Sequence, residues 1–160
     1  MRKVTLCFVL KGDEVLLGLK KVRFGSGYWN GFGGGIEEGE SERDAACREV
    51  EEECELVVPT ESLKKVALIH FHFLDKPELD HEVHVFTTKI FSGEPKESEE
   101  MRPEWHPISN LPLQEMWPAD QHWIPMVLSE GKTIVGRVDF ANKEKPYTVS
   151  DYNFEEKVLE

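Results

Sequence analysis

The sequence lacks the features of membrane-spanning, disulfide-stabilised and zinc-cluster proteins. Its longest apolar runs fall short of the roughly 18 residues that a membrane-spanning helix needs, and Met1-Arg2-Lys3 leads into alternating residues rather than a signal-peptide core. Three cysteines, Cys7, Cys47 and Cys54, form an odd set without a CxxC pair, which argues against a disulfide framework or a zinc cluster. We therefore expect a cytoplasmic protein with free thiols and no membrane partner.

Positive charge is also scarce. The chain has 19 Lys and Arg against 31 Asp and Glu, a formal net charge of −12. Polynucleotide binding needs a basic stripe, and the few cations here are scattered, so we expect no polynucleotide partner. A small anionic ligand is compatible with this charge if a divalent cation bridges it. A length of 160 residues with 39% hydrophobic content predicts one domain over residues 1–160, and we expect a monomer.

Local patterns predict a mixed sheet with two helices. Branched and apolar runs at 3–10 and 14–21 flank Gly12-Asp13, which suits a tight turn, and predict a hairpin. The same criteria predict a second hairpin at 65–74 and 82–91, a short strand near residue 105, and strands near 132–140 and 146–152. The glycine-rich stretch 22–35 predicts an ordered loop. Helices are predicted from Ser41, as the start of a capping box, to about Cys54, and from about Asp120 to Ser129. The fold class expected is α+β.

Ten carboxylates lie between Gly33 and Leu56, in a chain that is already acidic. On a helix, Glu49, Glu52 and Glu53 share one face, and like charges at this spacing destabilise the helix unless a cation lies against them. Mg²⁺ binds oxygen ligands of this kind, usually together with substrate phosphates. A solvated acidic helix face is the alternative that the carboxylates alone leave open.

The spacing around these carboxylates resembles the Nudix box. From Gly34 the order is Gly, five residues, Glu40, seven residues, Arg48-Glu49-Val50, one residue, Glu52-Glu53, one residue, Glu55, Leu56. The resemblance implies an α/β/α sandwich that hydrolyses a nucleoside diphosphate linked to another group. It also implies that Glu49, Glu52, Glu53 and the Gly33 carbonyl bind Mg²⁺, for which Mn²⁺ can substitute. Arg48 would orient Glu49, and Glu40 would be the outer member of the set.

Further stretches look like those of the MutT-homologue purine nucleoside triphosphatases that clear oxidised nucleotides. They are "GLKK", "GYWNGFGG", "PELDHEVHVF", "ESEEMRPEW" and "MWPADQHWIP". This resemblance implies hydrolysis of an oxidised purine nucleoside triphosphate, of the 8-oxo-dGTP or 2-oxo-dATP type, to the monophosphate and pyrophosphate. It assigns base hydrogen bonds to Asn30 and Asp120, stacking to Trp117, pocket walls to Phe24, Phe71 and Met101, polar contacts to Thr5 and Lys20, and a metal-site or water contact to Glu100.

The residues taken singly leave other interpretations open. Trp117 alone suits a protein core, Asp120 alone suits a helix N-cap, and Asn30 alone suits a turn. Two positions depart from the pattern: Ala119 replaces an acid beside Asp120, and Glu55 replaces a glycine. Another purine triphosphate as substrate, ordinary or methylated, and a nucleotide-binding module without catalysis are the alternative functions.

Histidines are the remaining candidates for metal chemistry. Two HxH-like strand pairs could bind zinc, but no cysteine or third histidine lies at ligand spacing. We expect solvent-facing strand residues at all six positions: His70, His72, His81, His84, His106 and His122.

Overall fold

The computed structural model describes residues 1–142 and 144–159. Its strands are β1 (Arg2–Lys11), β2 (Glu14–Lys20), β3 (Trp29–Asn30), β4 (Lys64–Phe73), β5 (His81–Thr88), β6 (Met101–Pro107), β7 (Ile134–Phe140) and β8 (Val149–Glu156), and its α-helices are α1 (Glu42–Cys54) and α2 (Asp120–Leu128). Neither α1, with 13 residues, nor α2, with 9, nor any other helix in the described part of the chain is long and apolar enough to cross a membrane.

The strands form one mixed sheet in the order β3-β2-β1-β5-β4-β7-β8, with β6 also paired to β2. Two pairs are parallel, β1 with β5 and β4 with β7, and the other pairs are antiparallel. The hairpins β1–β2 and β4–β5 are local in sequence, whereas the parallel β1–β5 pairing joins residues about eighty positions apart.

Side-chain alternation along β1 divides the core into two layers. Leu6 and Phe8 face the layer that contains Trp123 and Ile124 of α2. Cys7 and Val9 face the other layer, which contains Ala46 and Val50 of α1. The sheet therefore lies between the two helices, as the predicted α+β sandwich requires.

Most local predictions are confirmed. Both hairpins, both helices and the strand around residue 105 are present, and all three cysteines are free thiols. Three predictions were wrong in detail. The last strand, predicted near 146–152, runs over Val149–Glu156. Strand β5 ends at Thr88 rather than at residue 91, and Trp29–Asn30, inside the predicted loop, pair with Gly18 and Leu19 as the short strand β3.

Candidate active site

A cleft of about 610 Å³ opens between the sheet, α1 and the start of α2. This volume is within the range of small-molecule sites. Every residue assigned to the site from the sequence lines this cleft except Arg48 and Glu40, which pair with each other behind it. The lining residues from that set are Thr5, Lys20, Phe24, Asn30, Gly33, Glu49, Glu52, Glu53, Phe71, Glu100, Met101, Trp117 and Asp120.

Helix α1 delivers three carboxylates to one end of the cleft. The helix begins after Ser41, whose hydroxyl accepts a hydrogen bond from the Asp44 N–H at 3.1 Å. About two to three turns later, Glu49 is partly buried, Glu52 is exposed and Glu53 is buried, with 5% exposure. Glu53 accepts a hydrogen bond from the Gly33 N–H at 2.8 Å, which joins the helix to the loop that follows β3.

Glycine is required at Gly33, where this loop passes β1, and the Gly34 backbone passes close to the end of the Glu49 side chain. A Cβ atom at Gly33 would lie 1.8 Å from the carbonyl oxygen of Thr5, and one at Gly34 would lie 2.5 Å from Oε1 of Glu49. The absence of side chains lets the backbone approach both the strand and the carboxylates. The Gly33 and Gly34 peptides thus form a wall of the carboxylate end.

Burial and mutual repulsion disfavour the charged forms of Glu49 and Glu53. Burial, with a further contribution from the charge of Glu49, raises the pKa of Glu53 to about 8, against the opposing Gly33 hydrogen bond. Burial also raises the pKa of Glu49, and the neighbouring Arg48 opposes this shift. The charge of Glu100 acts in the same direction as burial on the pKa of both groups. Such a set gains free energy when a cation neutralises it.

Arg48 contacts the carboxylates of this end from the side away from the cleft. Its Nη1 lies 2.9 Å from Oε1 of Glu49, its Nη2 donates to the Gly35 carbonyl at 3.0 Å, and two of its nitrogens contact Glu40. The hydrogen bond from Arg48 lowers the pKa of Glu40. This contact brings Arg48 within hydrogen-bonding distance of the carboxylate that it was predicted to orient.

The donor atoms at this end fit a divalent cation such as Mg²⁺ or Mn²⁺. They are carboxylate and backbone oxygens, which hard cations prefer. As they stand, no three His, Cys, Asp or Glu side chains within residues 1–142 and 144–159 converge closely enough to hold an ion. Glu53 is held by Gly33 and Glu49 by Arg48, so the carboxylates line one wall at a distance from one another, as their repulsion favours.

Aromatic residues form the opposite end of the cleft. The ring of Trp117 lies 5.3 Å from that of Phe24, 5.1 Å from that of Tyr28 and 4.6 Å from that of Tyr147, measured between centroids. Trp117 is only partly buried and lines the cleft, so it is available to a planar ligand as well as to the core.

Asp120 lies beside this aromatic group and is buried, with 3% exposure. Its Oδ1 accepts a hydrogen bond from the indole N–H of Trp123 at 3.1 Å, and its Oδ2 has no hydrogen-bond partner within the described chain. Burial raises its pKa to about 7. The N-cap alternative is wrong, because Ala119 is the N-cap of α2 and no side chain caps it.

Asn30 belongs to β3, and its Oδ1 accepts a hydrogen bond from the Gly31 N–H at 2.9 Å. Phe71 and Met101 are buried with 9% and 3% exposure, respectively. These three residues and Asp120 line the same cleft, as the resemblance implied for a base pocket.

The sequence interpretation missed several lining residues. Arg2, Arg23, Tyr28, Phe73, His81 and Phe140 also face the cleft. Arg23 and Tyr28 lie in the same glycine-rich stretch as Phe24 and Asn30, and an arginine among glycines was the available signal. The other lining residues are brought in by strand pairing between distant segments, which local patterns do not reveal.

The histidines do not form a zinc site in the described residues. The expectation of solvent-facing strand residues at all six positions was wrong for His122, which is on helix α2, and for His81, which faces the cleft. It was also wrong for His84, which has 5% exposure. Its Nδ1 lies 3.0 Å from Nζ of Lys65 and 3.2 Å from Oε1 of Glu42 on α1. The second hairpin places His84 beneath α1, where the sheet face is covered, and burial lowers its pKa.

Comparisons with known proteins identify relatives of the whole arrangement. The NUDIX domain family model matches residues 1–127. The chain is 43% identical over 155 residues to an oxidized purine nucleoside triphosphate hydrolase of Mus musculus, covering 97% of this chain and 95% of that protein. A protein of the same description from Danio rerio is 44% identical over 137 residues, covering 86% of this chain and 85% of that protein. The crystal structure of a MutT protein from Bacillus halodurans has the same fold, with a TM-score of 0.83, 24% identity, and coverage of 97% of this chain and 98% of that one.

Proposed function

The chain belongs to the Nudix hydrolase family, and from this premise we propose that it hydrolyses oxidised purine nucleoside triphosphates to the monophosphate and pyrophosphate. The observation that carries the proposal is the cleft itself. One continuous cavity has carboxylates of α1 at one end and a buried acid among aromatic rings at the other. The mouse and zebrafish relatives, whose substrate class is in their description, support the choice of an oxidised purine.

Base recognition is assigned to the aromatic end. Trp117 offers a ring face for stacking, and Asp120 offers Oδ2, the oxygen that lacks a partner. With a pKa near 7, Asp120 donates a hydrogen bond when protonated and accepts one when ionised. A carboxyl group in this state can pair with either a carbonyl or an N–H on the edge of a purine. The side chain of Asn30 is a second polar contact in the same cleft.

Phosphate chemistry is assigned to the carboxylate end. We place Mg²⁺ among Glu49, Glu52, Glu53, Glu100 and the carbonyl of Gly33, with Mn²⁺ as a substitute. When bound, a divalent cation neutralises polyphosphate charge and makes water a better nucleophile at neutral pH. Hydrolysis breaks the P–O–P link between the α and β phosphates, with addition of one water.

The protein's own residues position the parts of this reaction. The Gly33 N–H fixes Glu53, and Arg48 fixes Glu49 while it is itself held by the Gly35 carbonyl. These contacts keep Glu49 and Glu53 on the wall of the cleft, from which they converge when the cation and substrate bind. Lys20, also in the cleft, supplies positive charge beside Glu53, where it lowers the pKa of that carboxyl.

We further propose that the chain acts as a monomer of one domain, in the cytoplasm. Strands β7 and β8, which follow the residues matched by the family model, pair within the same sheet as the rest of the chain, which supports one domain. The three free thiols are typical of a reducing compartment.

The test is a nucleotide panel with and without Mg²⁺, read as release of pyrophosphate. The panel contains nucleoside triphosphates of oxidised guanine and adenine, of unmodified and methylated purines, and of pyrimidines. We expect the highest kcat/KM for an oxidised purine and loss of turnover with a chelator, restored by Mg²⁺ or Mn²⁺. A preference for an unmodified or methylated purine would reassign the substrate, and tight nucleotide binding without turnover would identify a binding module.

A further inference from the structure

Arg23 has an unusual backbone conformation at the mouth of the cleft. Its φ is +66°, in the left-handed region, where only Arg23 and Glu55 are found among the non-glycine residues of the described chain. Residues other than glycine are disfavoured in this region. Strained residues of this kind persist where the surrounding structure fixes them, often at functional sites. Hydrogen bonds of the loop fix this turn, including Ser26 N–H to the Arg23 carbonyl at 3.0 Å.

The guanidinium of Arg23 reaches a carboxylate of the site. Its Nη1 lies 2.6 Å from Oε1 of Glu100. The backbones of the two segments are also joined, because the Lys21 N–H donates to the Glu100 carbonyl at 2.8 Å. The Arg23 side chain is 69% exposed and that of Glu100 is 39% exposed, so the ion pair is at the solvent-facing edge of the cleft. Exposed ion pairs are weak and exchange partners readily.

The cleft carries an excess of negative charge, so the phosphate groups of a substrate need the few cations that line it, including Arg23. Only three Lys or Arg side chains in the described chain line the cleft, Arg2, Lys20 and Arg23, against seven acids. The acids are Glu49, Glu52, Glu53, Glu78, Asp80, Glu100 and Asp120. A polyphosphate that enters is repelled by this excess, and a guanidinium binds phosphate oxygens in a fork that a carboxylate also matches.

We propose that Arg23 is a phosphate-binding residue that exchanges partners: it pairs with Glu100 in the free enzyme and moves to the polyphosphate when substrate binds, which releases Glu100 toward the cation site. The inference rests on the proposed function for the role of Glu100 and the nature of the substrate. Loss of the Arg23 guanidinium should therefore strengthen cation binding and weaken triphosphate binding. The reason is that Arg23 competes with the cation for Glu100 but attracts the triphosphate.

The test compares Arg23→Gln and Arg23→Lys with the matched control Lys21→Gln. Lys21 is on the same loop and pairs with Glu97 and the Ser98 carbonyl, but it does not line the cleft. Calorimetric titration with MnCl₂ alone measures cation affinity, and steady-state kinetics with the best nucleotide of the panel at saturating Mg²⁺ measures kcat and KM. Binding of inorganic triphosphate with Mn²⁺ is measured as a readout that needs no turnover.

For Arg23→Gln we expect tighter Mn²⁺ binding, by roughly 2- to 5-fold, and a KM higher by about tenfold, with kcat within about threefold of wild type. Arg23→Lys keeps the charge but not the fork, so its values should lie between those of Arg23→Gln and the wild type, and Lys21→Gln should change neither. Weaker binding of both ligands, no change in either, or the same shifts in Lys21→Gln would overturn the inference, since each would mean that Arg23 only tethers its loop.

The proposed function and the inference fail separately. If the wild type hydrolyses no purine triphosphate, the proposed function is wrong, yet opposite shifts in Mn²⁺ and inorganic triphosphate binding would still establish the partner exchange. If the wild type hydrolyses an oxidised purine triphosphate and Arg23→Gln binds both ligands as wild type does, only the inference is wrong.

Discussion

Arg48 and Glu40 meet as a fork: Nε lies 2.7 Å from Oε2 and Nη2 lies 3.0 Å from Oε1, so two nitrogens face two oxygens. The remaining nitrogen, Nη1, is then directed at Glu49. Because the fork fixes the plane of the guanidinium, Glu40 sets the position of a carboxylate that it does not touch. In known metal sites, residues that contact the ligands from behind tune the affinity for the metal in this way.

Replacing Arg48 by lysine should therefore impair the site while preserving charge. An ammonium cannot contact both oxygens of Glu40 in the fork and reach Glu49 as well. We expect Arg48→Lys to lower kcat by about 10- to 100-fold, with the native circular dichroism spectrum retained. The control is Arg43→Lys, a change of the same type on α1 at a residue outside the cleft. Wild-type turnover in Arg48→Lys would show that the fork is dispensable.

Glu53→Gln should remove nearly all hydrolysis without loss of stability. The amide keeps the shape of the side chain and can still accept a hydrogen bond from the Gly33 N–H. It also cannot ionise, at a position where burial and Glu49 already disfavour the ionised form. We expect an unchanged or higher melting temperature together with loss of Mg²⁺-dependent pyrophosphate release.

The matched control for that variant is Glu51→Gln, an exposed carboxylate on the same helix. It should leave turnover close to that of the wild type. Near-normal activity of Glu53→Gln at saturating Mg²⁺ would remove Glu53 from the proposed metal site.

The features that could be predicted from the sequence are those fixed by interactions between residues close together in the chain. Ser41 caps α1 through the N–H of Asp44 three residues later, and the spacing of Glu49 and Glu53 follows from helix geometry, so both were accessible to pattern analysis. The resemblance supplied the other residues that were assigned to the cleft, but it did not supply every residue that lines it. Arg23 opposite Glu100 and His84 beneath α1 depend on which distant strands pair, and no local pattern specifies the parallel β1–β5 register.

Asp120 should make stability depend on pH in a particular direction. Its pKa is about 7 in the folded protein and near the ordinary 3.8 in the unfolded chain. Between these pH values the unfolded chain releases a proton that the folded protein keeps, so this group's contribution to the free energy of unfolding falls as pH rises from about 4 to about 7. The slope approaches about 1.4 kcal/mol per pH unit within that window and vanishes outside it.

The measurement is denaturant unfolding of wild type and Asp120→Asn at several pH values from about 4.5 to 8. The asparagine does not ionise, so its stability relative to wild type should increase with pH and level off above about pH 7. The exposed Asp13→Asn serves as a control and should run parallel to wild type. Parallel curves for Asp120→Asn would mean that Asp120 is ionised throughout.

In the nucleotide panel, Asp120→Ala should reduce discrimination between purines more than it reduces turnover. Equal losses of activity toward pyrimidines would contradict the base-binding role.

Glu55 ends α1 at the cost of backbone strain. Its φ of 63° and ψ of 22° are left-handed, and its N–H donates to the Glu51 carbonyl to close the helix. Glycine adopts this conformation freely, whereas other residues do so at a cost of about 1 kcal/mol, and a carboxylate at the negative end of a helix adds to that cost. Glu55→Gly should therefore raise the melting temperature by about 2–4 °C and leave turnover nearly unchanged, because Glu55 does not line the cleft.

The control is Glu51→Gly, the same chemical change within the helix. It should lower the melting temperature by a similar amount, since glycine is disfavoured there. A decrease in both variants would show that the left-handed residue is not strained, and a large loss of turnover in Glu55→Gly would place Glu55 in the working site.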